Sequence, residues 1–285
     1  MNADKSLPPP PEPLAAPAVD AHTHLDACGC VDAADVTAAM DRAAAVGVSA
    51  AVTVADDLAA ARWVVRAASW DERVFAAVAL HPTRTASFGD AERAEIEALA
   101  GAPRVVAVGE TGLDYYWDYS PPAAQREAFA WHIALAKRLR KPLMIHDREA
   151  HEDVLSILES EGAPDDVVLH CFSGDAAMAR RCADAGYLMS FAGVVTFRNT
   201  RDLREAAEIV PAELILTETD APFLTPHPHR GRRNEPYNLP WTVRDLAGLR
   251  GVDEAEMAET VAANAARLFR FAEHPATAAQ PLRWP

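Results

Sequence analysis

From about residue 18 to residue 272, short apolar runs alternate with longer amphipathic ones. The short runs are AVDAH (18–22), AAVTVA (50–55), VFAAVAL (74–80), VVAVGE (105–110), PLMIH (142–146), VVLHC (167–171), YLMSFAG (187–193) and LILTETD (214–220). Each is too short for a helix, and most are apolar on both faces, as parallel strands covered on both sides are. The stretches 35–46, 57–69, 91–100, 123–140, 150–161, 175–185 and 201–209 carry helical periodicity, and two more, 240–250 and 254–270, follow the last strand. Pro121-Pro122 opens the helix at 123 and Lys141-Pro142 stops it, in keeping with proline's tolerance at helix starts.

Eight strands alternating with helices fit either a parallel barrel or a doubly wound open sheet. The two differ in where unusual residues gather: around one mouth in a barrel, at a switch point in an open sheet. Here polar residues close many of the runs, and no G-x-G-x-x-G or P-loop fingerprint follows any of them. The pattern predicts an α/β fold, a (β/α)8 TIM barrel in one domain over residues 18–272. Residues 1–17, with LPPPPEPLAAP at 7–17, read as a disordered Pro-rich leader, and 273–285 as a loose C-terminal tail.

The strand ends carry the chemistry. Strand 1 ends in His22-Thr23-His24, strand 4 at Glu110, strand 5 at His146, strand 6 at His170 and strand 8 at Asp220. Alternation places residues i and i+2 on one face, so His22 and His24 are expected to share the barrel mouth. Neutral imidazole and carboxylate suit Mg, Mn, Zn or similar divalent cations, and six such groups exceed the need of one catalytic ion. Two ions about 3.5–4 Å apart would use them all. The expected division is His22, His24 and Asp220 on one ion and His146 and His170 on the other, with Glu110 bridging. Glu110 and Asp220 are the expected catalytic residues, Asp220 orienting or deprotonating the attacking water.

Charge narrows the substrate. The formal net charge is −15, which argues against a broad nucleic-acid footprint built from many phosphate contacts. Two divalent cations would still leave a cationic pocket around two carboxylates, able to hold one phosphate ester. The four cysteines, Cys28, Cys30, Cys171 and Cys182, match no zinc-finger spacing. Together with the absence of a signal-peptide pattern or a membrane-length apolar run, they suggest a reduced, cytoplasmic setting.

The motifs DAHTHLD (20–26), LHP (80–82), GETGLDYY (109–116), IHDR (145–148), HCFSG (170–174), ETDAPFL (218–224) and PHRGRRNEP (228–236) resemble, in order, the TatD family of metal-dependent deoxyribonucleases. The resemblance spans nearly the whole of 18–272. It implies a TIM-barrel phosphodiesterase, exonuclease-like, with two divalent cations, and carries ligand roles to the same six residues. It also implies that Glu218 orients a ligand and that the loop 227–234, with Arg230 and Asn234, grips substrate. His81 and Arg148 are further expected contacts to phosphate or to a ligand. One departure stands in LHPTRT, where Thr83 replaces the family's usual second histidine. The expected partner is DNA or a small phosphodiester held at a strand end. The alternatives are a hydrolase of a small-molecule ester, amide or lactone on the same scaffold, and a metal-binding scaffold without turnover. Relatives of the former kind often bridge their metals with a carboxylated lysine at strand 4, where this chain has Glu110.

Overall fold

The computed structural model describes residues 6–274. Eight strands form one sheet in the order β1 to β8, with every neighbouring pair parallel. They are β1 (Ala18–Thr23), β2 (Val48–Val54), β3 (Val74–Ala77), β4 (Val105–Asp114), β5 (Leu143–Arg148), β6 (Val167–Leu169), β7 (Leu188–Phe191) and β8 (Ile215–Thr217). Among the described residues a helix follows each strand: α1 (Ala33–Ala44), α2 (Leu58–Trp70), α3 (Asp90–Ala100), α4 (Pro122–Leu139), α5 (His151–Glu161), α6 (Ala176–Asp184), α7 (Arg201–Ile209) and α8 (Leu239–Arg250). A ninth, α9 (Glu254–Phe269), completes the ring. Asp32, Asp57, Asp175 and Asp253 cap α1, α2, α6 and α9 by accepting from their first free N–H groups.

The apolar residues separate into two clusters. One takes alternate strand positions, including Ala50, Val52 and Val54 of β2, Phe75 and Ala77 of β3, Met144, Val168 and Leu216, and fills the barrel. The other lies between the strands and the helices. This double burial is why the strands read as unbroken apolar runs.

The barrel closes where β1 meets the end of β8. Asp220 N–H donates to the His22 carbonyl at 2.9 Å, and His24 N–H to the Ala221 carbonyl at 2.7 Å. Below them the Asp20 carboxyl accepts from Thr219 N–H at 2.8 Å and lies 2.5 Å from the Thr219 hydroxyl. The seam that shuts the barrel is therefore made by the segments that carry three expected metal ligands.

The Pro-rich leader departs from expectation over residues 6–17. It forms no helix or strand before Ala18, yet Leu14 and Ala16 are buried in the outer core. Leu14 N–H donates to the Val46 carbonyl at 3.0 Å, Tyr237 Oη to the Pro8 carbonyl at 2.5 Å, and Arg244 to the carbonyls of Glu12 and Pro13. Proline removes donors from this segment but leaves every carbonyl, and the barrel supplies the matching donors. The disordered-leader reading is corrected for these residues. Residues 1–5, and the expected tail beyond His274, lie outside the described residues.

Candidate metal centre

In β5 and β6 simple alternation delivers the ligands, Met144 leading to His146 and Val168 to His170, whereas Asp220 stands three residues past the end of β8 at φ +50°. In β1 and β4 it does not. Val19 and Ala21 belong to the barrel-filling cluster, so strict alternation would turn His22 away from it. The register shifts between Asp20 and Thr23 in β1, and between Val108 and Thr111 in β4. Such irregularities re-aim side chains; His22 and Glu110 lie within them, and His24 directly follows the first. Gly112, at φ +139°, is needed here because a Cβ would overlap the His146 carbonyl. That close approach sets β4 against β5 beside the centre.

The six expected ligands converge in two groups that share Glu110. Around its Oε1 stand His24 Nε2 at 3.5 Å and His22 Nε2 at 3.9 Å, with Asp220 Oδ1 3.6 Å from His22 and 3.5 Å from His24. The two imidazole nitrogens are 3.1 Å apart. Around Glu110 Oε2 stand His170 Nε2 at 2.8 Å and His146 Nδ1 at 3.4 Å, themselves 3.2 Å apart. Ligand atoms at about 2.0–2.1 Å from a tetrahedral ion lie about 3.4 Å from one another, and both groups fit that spacing.

Each imidazole also commits its other nitrogen to a partner outside the pocket. His24 Nδ1 meets the Val54 carbonyl at 3.0 Å, His170 Nδ1 meets Glu218 Oε1 at 3.3 Å, His146 Nε2 meets Asp114 Oδ2 at 3.1 Å, and His22 Nδ1 meets Met144 Sδ at 3.2 Å. This arrangement turns one lone pair inward and fixes the ring. The residues fit divalent cations by donor type, spacing and orientation.

Packing four imidazoles around carboxylates moves their titrations apart. His22 is held well below its usual value, first by burial and then by His170. Burial opposes protonation of His24, His146 and His170 too, but the carboxylates outweigh it: His24 rises to about 9 and His170 well above the usual range. Burial alone would raise Glu110, yet His170, His81 and the hydrogen bonds from His146 and His170 hold it well below the ordinary carboxylate range. Protons stand here where cations would.

The remaining expected residues divide. Glu218, fully buried, accepts from Cys171 N–H at 2.7 Å through the same Oε1 that meets His170, so it sits behind a ligand and not in the pocket. His81 lies with its ring 4.2 Å from that of His146, and its Nδ1 accepts from Thr83 N–H and lies 2.6 Å from Thr83 Oγ1. Burial and His146 lower its pKa to about 3, leaving a neutral ring whose proton is on Nε2. Among the described residues no hydrogen bond or ion pair joins Arg148 to a ligand. Its guanidinium lies 3.9 Å from the Tyr116 ring centre.

The basic loop is a correction. Asn234 is fully buried, donating to the Thr219 and Phe223 carbonyls at 2.9 and 2.6 Å and accepting from Asn238 at 3.0 Å. It fastens the loop and is not presented to substrate. Arg233 donates to the Cys28 carbonyl at 2.5 Å and Arg232 to Ser6. Arg230 and Arg233 are exposed and Arg232 is half-buried; Arg230 alone of the three makes none of these ties, its guanidinium lying over the Phe197 ring. The expected grip of the loop on substrate is thus reduced, because two of the three guanidinium groups tie the loop to its neighbours.

Asp114 escaped sequence reasoning. It lies with His81 and His146 in a third cluster of potential ligands, but His146 faces it through Nε2 while Nδ1 serves the pocket. The signal was present as Glu110, Gly112 and Asp114 at alternate positions, concealed because β4 runs four residues past its expected end. All four cysteines are free. A cavity of about 230 Å³ lined by Lys137, Arg140, Lys141 and Arg270, among others, opens at the opposite, N-terminal end of the barrel and shares no residue with this centre.

Imidazoles and carboxylates gathered at the C-terminal mouth of a parallel barrel define a hydrolase of the metal-dependent barrel class. A family model described as TatD related DNase matches residues 19–270, and the chain belongs to that family. A Mycobacterium tuberculosis protein named uncharacterized metal-dependent hydrolase TatD is 62% identical over 256 residues, covering 88% of this chain and 97% of its own. A Cronobacter sakazakii protein named 3'-5' ssDNA/RNA exonuclease TatD is 38% identical over 212 residues, 72% of this chain and 80% of its own. The crystal structure of the TatD homologue YjjV from Escherichia coli superposes with a TM-score of 0.81 at 28% identity, covering 89% of this chain and 98% of that one.

Proposed function

We propose that the chain hydrolyses phosphodiester bonds at a two-cation centre, as a deoxyribonuclease acting near a strand end. One observation carries this reading: the two oxygens of Glu110 face two separate donor groups, His22–His24–Asp220 and His146–His170. A single carboxylate between two such groups would be able to hold a cation on each side. When bound, the pair lowers the pKa of water to about 7 and offsets charge on the phosphoryl oxygens.

The protein's own residues do the rest. Asp220 has the most exposed side chain of the four around its pocket, at 13%, which supports a role for its carboxylate in orienting water and accepting its proton. His81, neutral with its proton on Nε2, can donate to a phosphate oxygen. The group around His146 and His170 contains three donors against four in the other, leaving room for a substrate oxygen. No helix among the described residues is long and apolar enough to cross a membrane, and a cytoplasmic role on DNA suits this reading.

The test is hydrolysis of bis(p-nitrophenyl) phosphate, a single-stranded oligonucleotide and a lactone in Mg, Mn and Zn buffers. Turnover of the two phosphodiesters is expected, with Glu110→Gln and Asp220→Ala each reducing it by at least about a hundredfold. Near-wild-type rates in either variant, or turnover of the lactone alone, would overturn the assignment.

A further inference from the structure

Among the described residues six large hydrophobic side chains are substantially exposed: Val31, Tyr116, Trp117, Tyr119, Ile209 and Phe223. Four are aromatic, and all four stand on loops at the C-terminal mouth, three after β4 and Phe223 after β8. In a ring of eight strands β4 and β8 are opposite one another, so the metal centre lies between the two loops. Phe223 confirms the proximity on its side, with its ring centre 6.1 Å from that of His24.

The three aromatics after β4 form a ledge. Trp117 and Tyr119 lie nearly parallel, 5.5 Å apart at 15°, and Tyr116 meets Trp117 edge-on at 4.8 Å. Arg148 lies over Tyr116 at 3.9 Å and within 5.8 Å of Trp117, with no ion-pair partner among the described residues. The ledge is fixed from beneath. Gln125, buried on α4, donates to the carbonyls of Asp114 and Ser120 at 2.9 Å and accepts from Asp114 N–H at 2.8 Å. Asp114 Oδ1 accepts from Tyr116 and Trp117 N–H, both at 3.0 Å, while its Oδ2 holds His146. One carboxylate thus ties the ledge to a ligand of the centre.

Exposed aromatic rings with a cation over them that has no carboxylate partner among the described residues match the chemistry of unpaired nucleotides, whose bases stack on rings and whose phosphates seek positive charge. A duplex hides its base faces and offers nothing to such a ledge. We propose that Tyr116, Trp117 and Tyr119, with Arg148, form a stacking site for the unpaired bases of a single strand whose phosphodiester occupies the metal centre, Phe223 flanking it from the opposite loop. The proposal rests on the phosphodiesterase reading above and adds the residues that select single strands.

The experiment compares wild type, Trp117→Ala, Trp117→Phe and Tyr116→Ala as metal-loaded full-length proteins. Two readouts are taken: kcat/KM for a single-stranded oligonucleotide relative to bis(p-nitrophenyl) phosphate, and anisotropy of a labelled phosphorothioate single strand. Trp117→Ala is expected to lower the kcat/KM ratio, through KM, and to weaken strand binding, each about tenfold, with Trp117→Phe restoring most of both. An unchanged ratio and unchanged binding in Trp117→Ala would overturn the ledge, as would equal loss on a blunt duplex. Wild type that cleaves neither ester would instead sink the phosphodiesterase reading, so the two failures are distinct.

Discussion

Replacing Asp114 by asparagine keeps the shape of the side chain and removes its charge, and the geometry dictates which way the amide must turn. Oδ1 accepts from two backbone N–H groups at 3.0 Å, and Oδ2 meets His146 Nε2 at 3.1 Å. An amide oxygen directed at His146 would put an NH2 against both backbone donors, losing two hydrogen bonds worth about 1 kcal/mol each and adding repulsion. The oxygen therefore stays with the backbone and the NH2 faces His146. Nε2 must then accept, the ring proton moves to Nδ1, and Nδ1 is the nitrogen that lies 3.4 Å from Glu110 and 3.2 Å from His170 in the pocket. Ligation there requires the unfavourable tautomer. Loss of an orienting partner costs about 10–100-fold in metal affinity or activity, about 1.4–2.7 kcal/mol. The assay is the Mn dependence of bis(p-nitrophenyl) phosphate hydrolysis. Half-saturation for Asp114→Asn is expected to move up by that factor, with recovery at high metal concentration. A curve superposing on wild type would refute the tautomer argument.

Two other outcomes follow from the same structure. Leu14→Ala should destabilise the protein by about 2–3 kcal/mol in chemical denaturation, since Leu14 is buried against the barrel; a change under about 0.5 kcal/mol would return the leader to a passive role. Burial opposes it, but the hydrogen bond to Asp220 and the charge of Glu110 raise His24 to about 9, so in the metal-free protein this ring is protonated at neutral pH. A metal ligand must be neutral, so cation binding expels that proton. Apparent affinity should rise with pH from neutral toward pH 9, by up to about tenfold per pH unit for each proton displaced. Calorimetry of Zn binding at pH 7 in two buffers of different ionisation heat should register net proton release, and identical heats would contradict it.

The barrel was legible because parallel strands covered on both faces leave apolar runs that no surface element mimics. The ligands were legible because strand ends at one mouth must carry whatever chemistry the barrel performs. His146 and His170 could be placed by counting in twos from Met144 and Val168. His22 and Glu110 could not, since their strands shift register at those positions and nothing local announces an irregularity. Asp114 was concealed by a strand end placed at the last striking residue, Glu110, when Gly112 lets β4 continue beside β5. The leader and the basic loop misled for a common reason. Composition shows that prolines and arginines are present but not which donors and carbonyls lie opposite, and here Tyr237, Arg244 and the Cys28 carbonyl claim them.

The proposed function requires Glu110 to join two cation sites, and native mass spectrometry of the Mn- or Zn-loaded protein counts them directly. Wild type should carry two ions per chain and Glu110→Gln no more than one at the same free metal concentration. A single ion in wild type, or two retained in Glu110→Gln, would contradict a bridging role for Glu110.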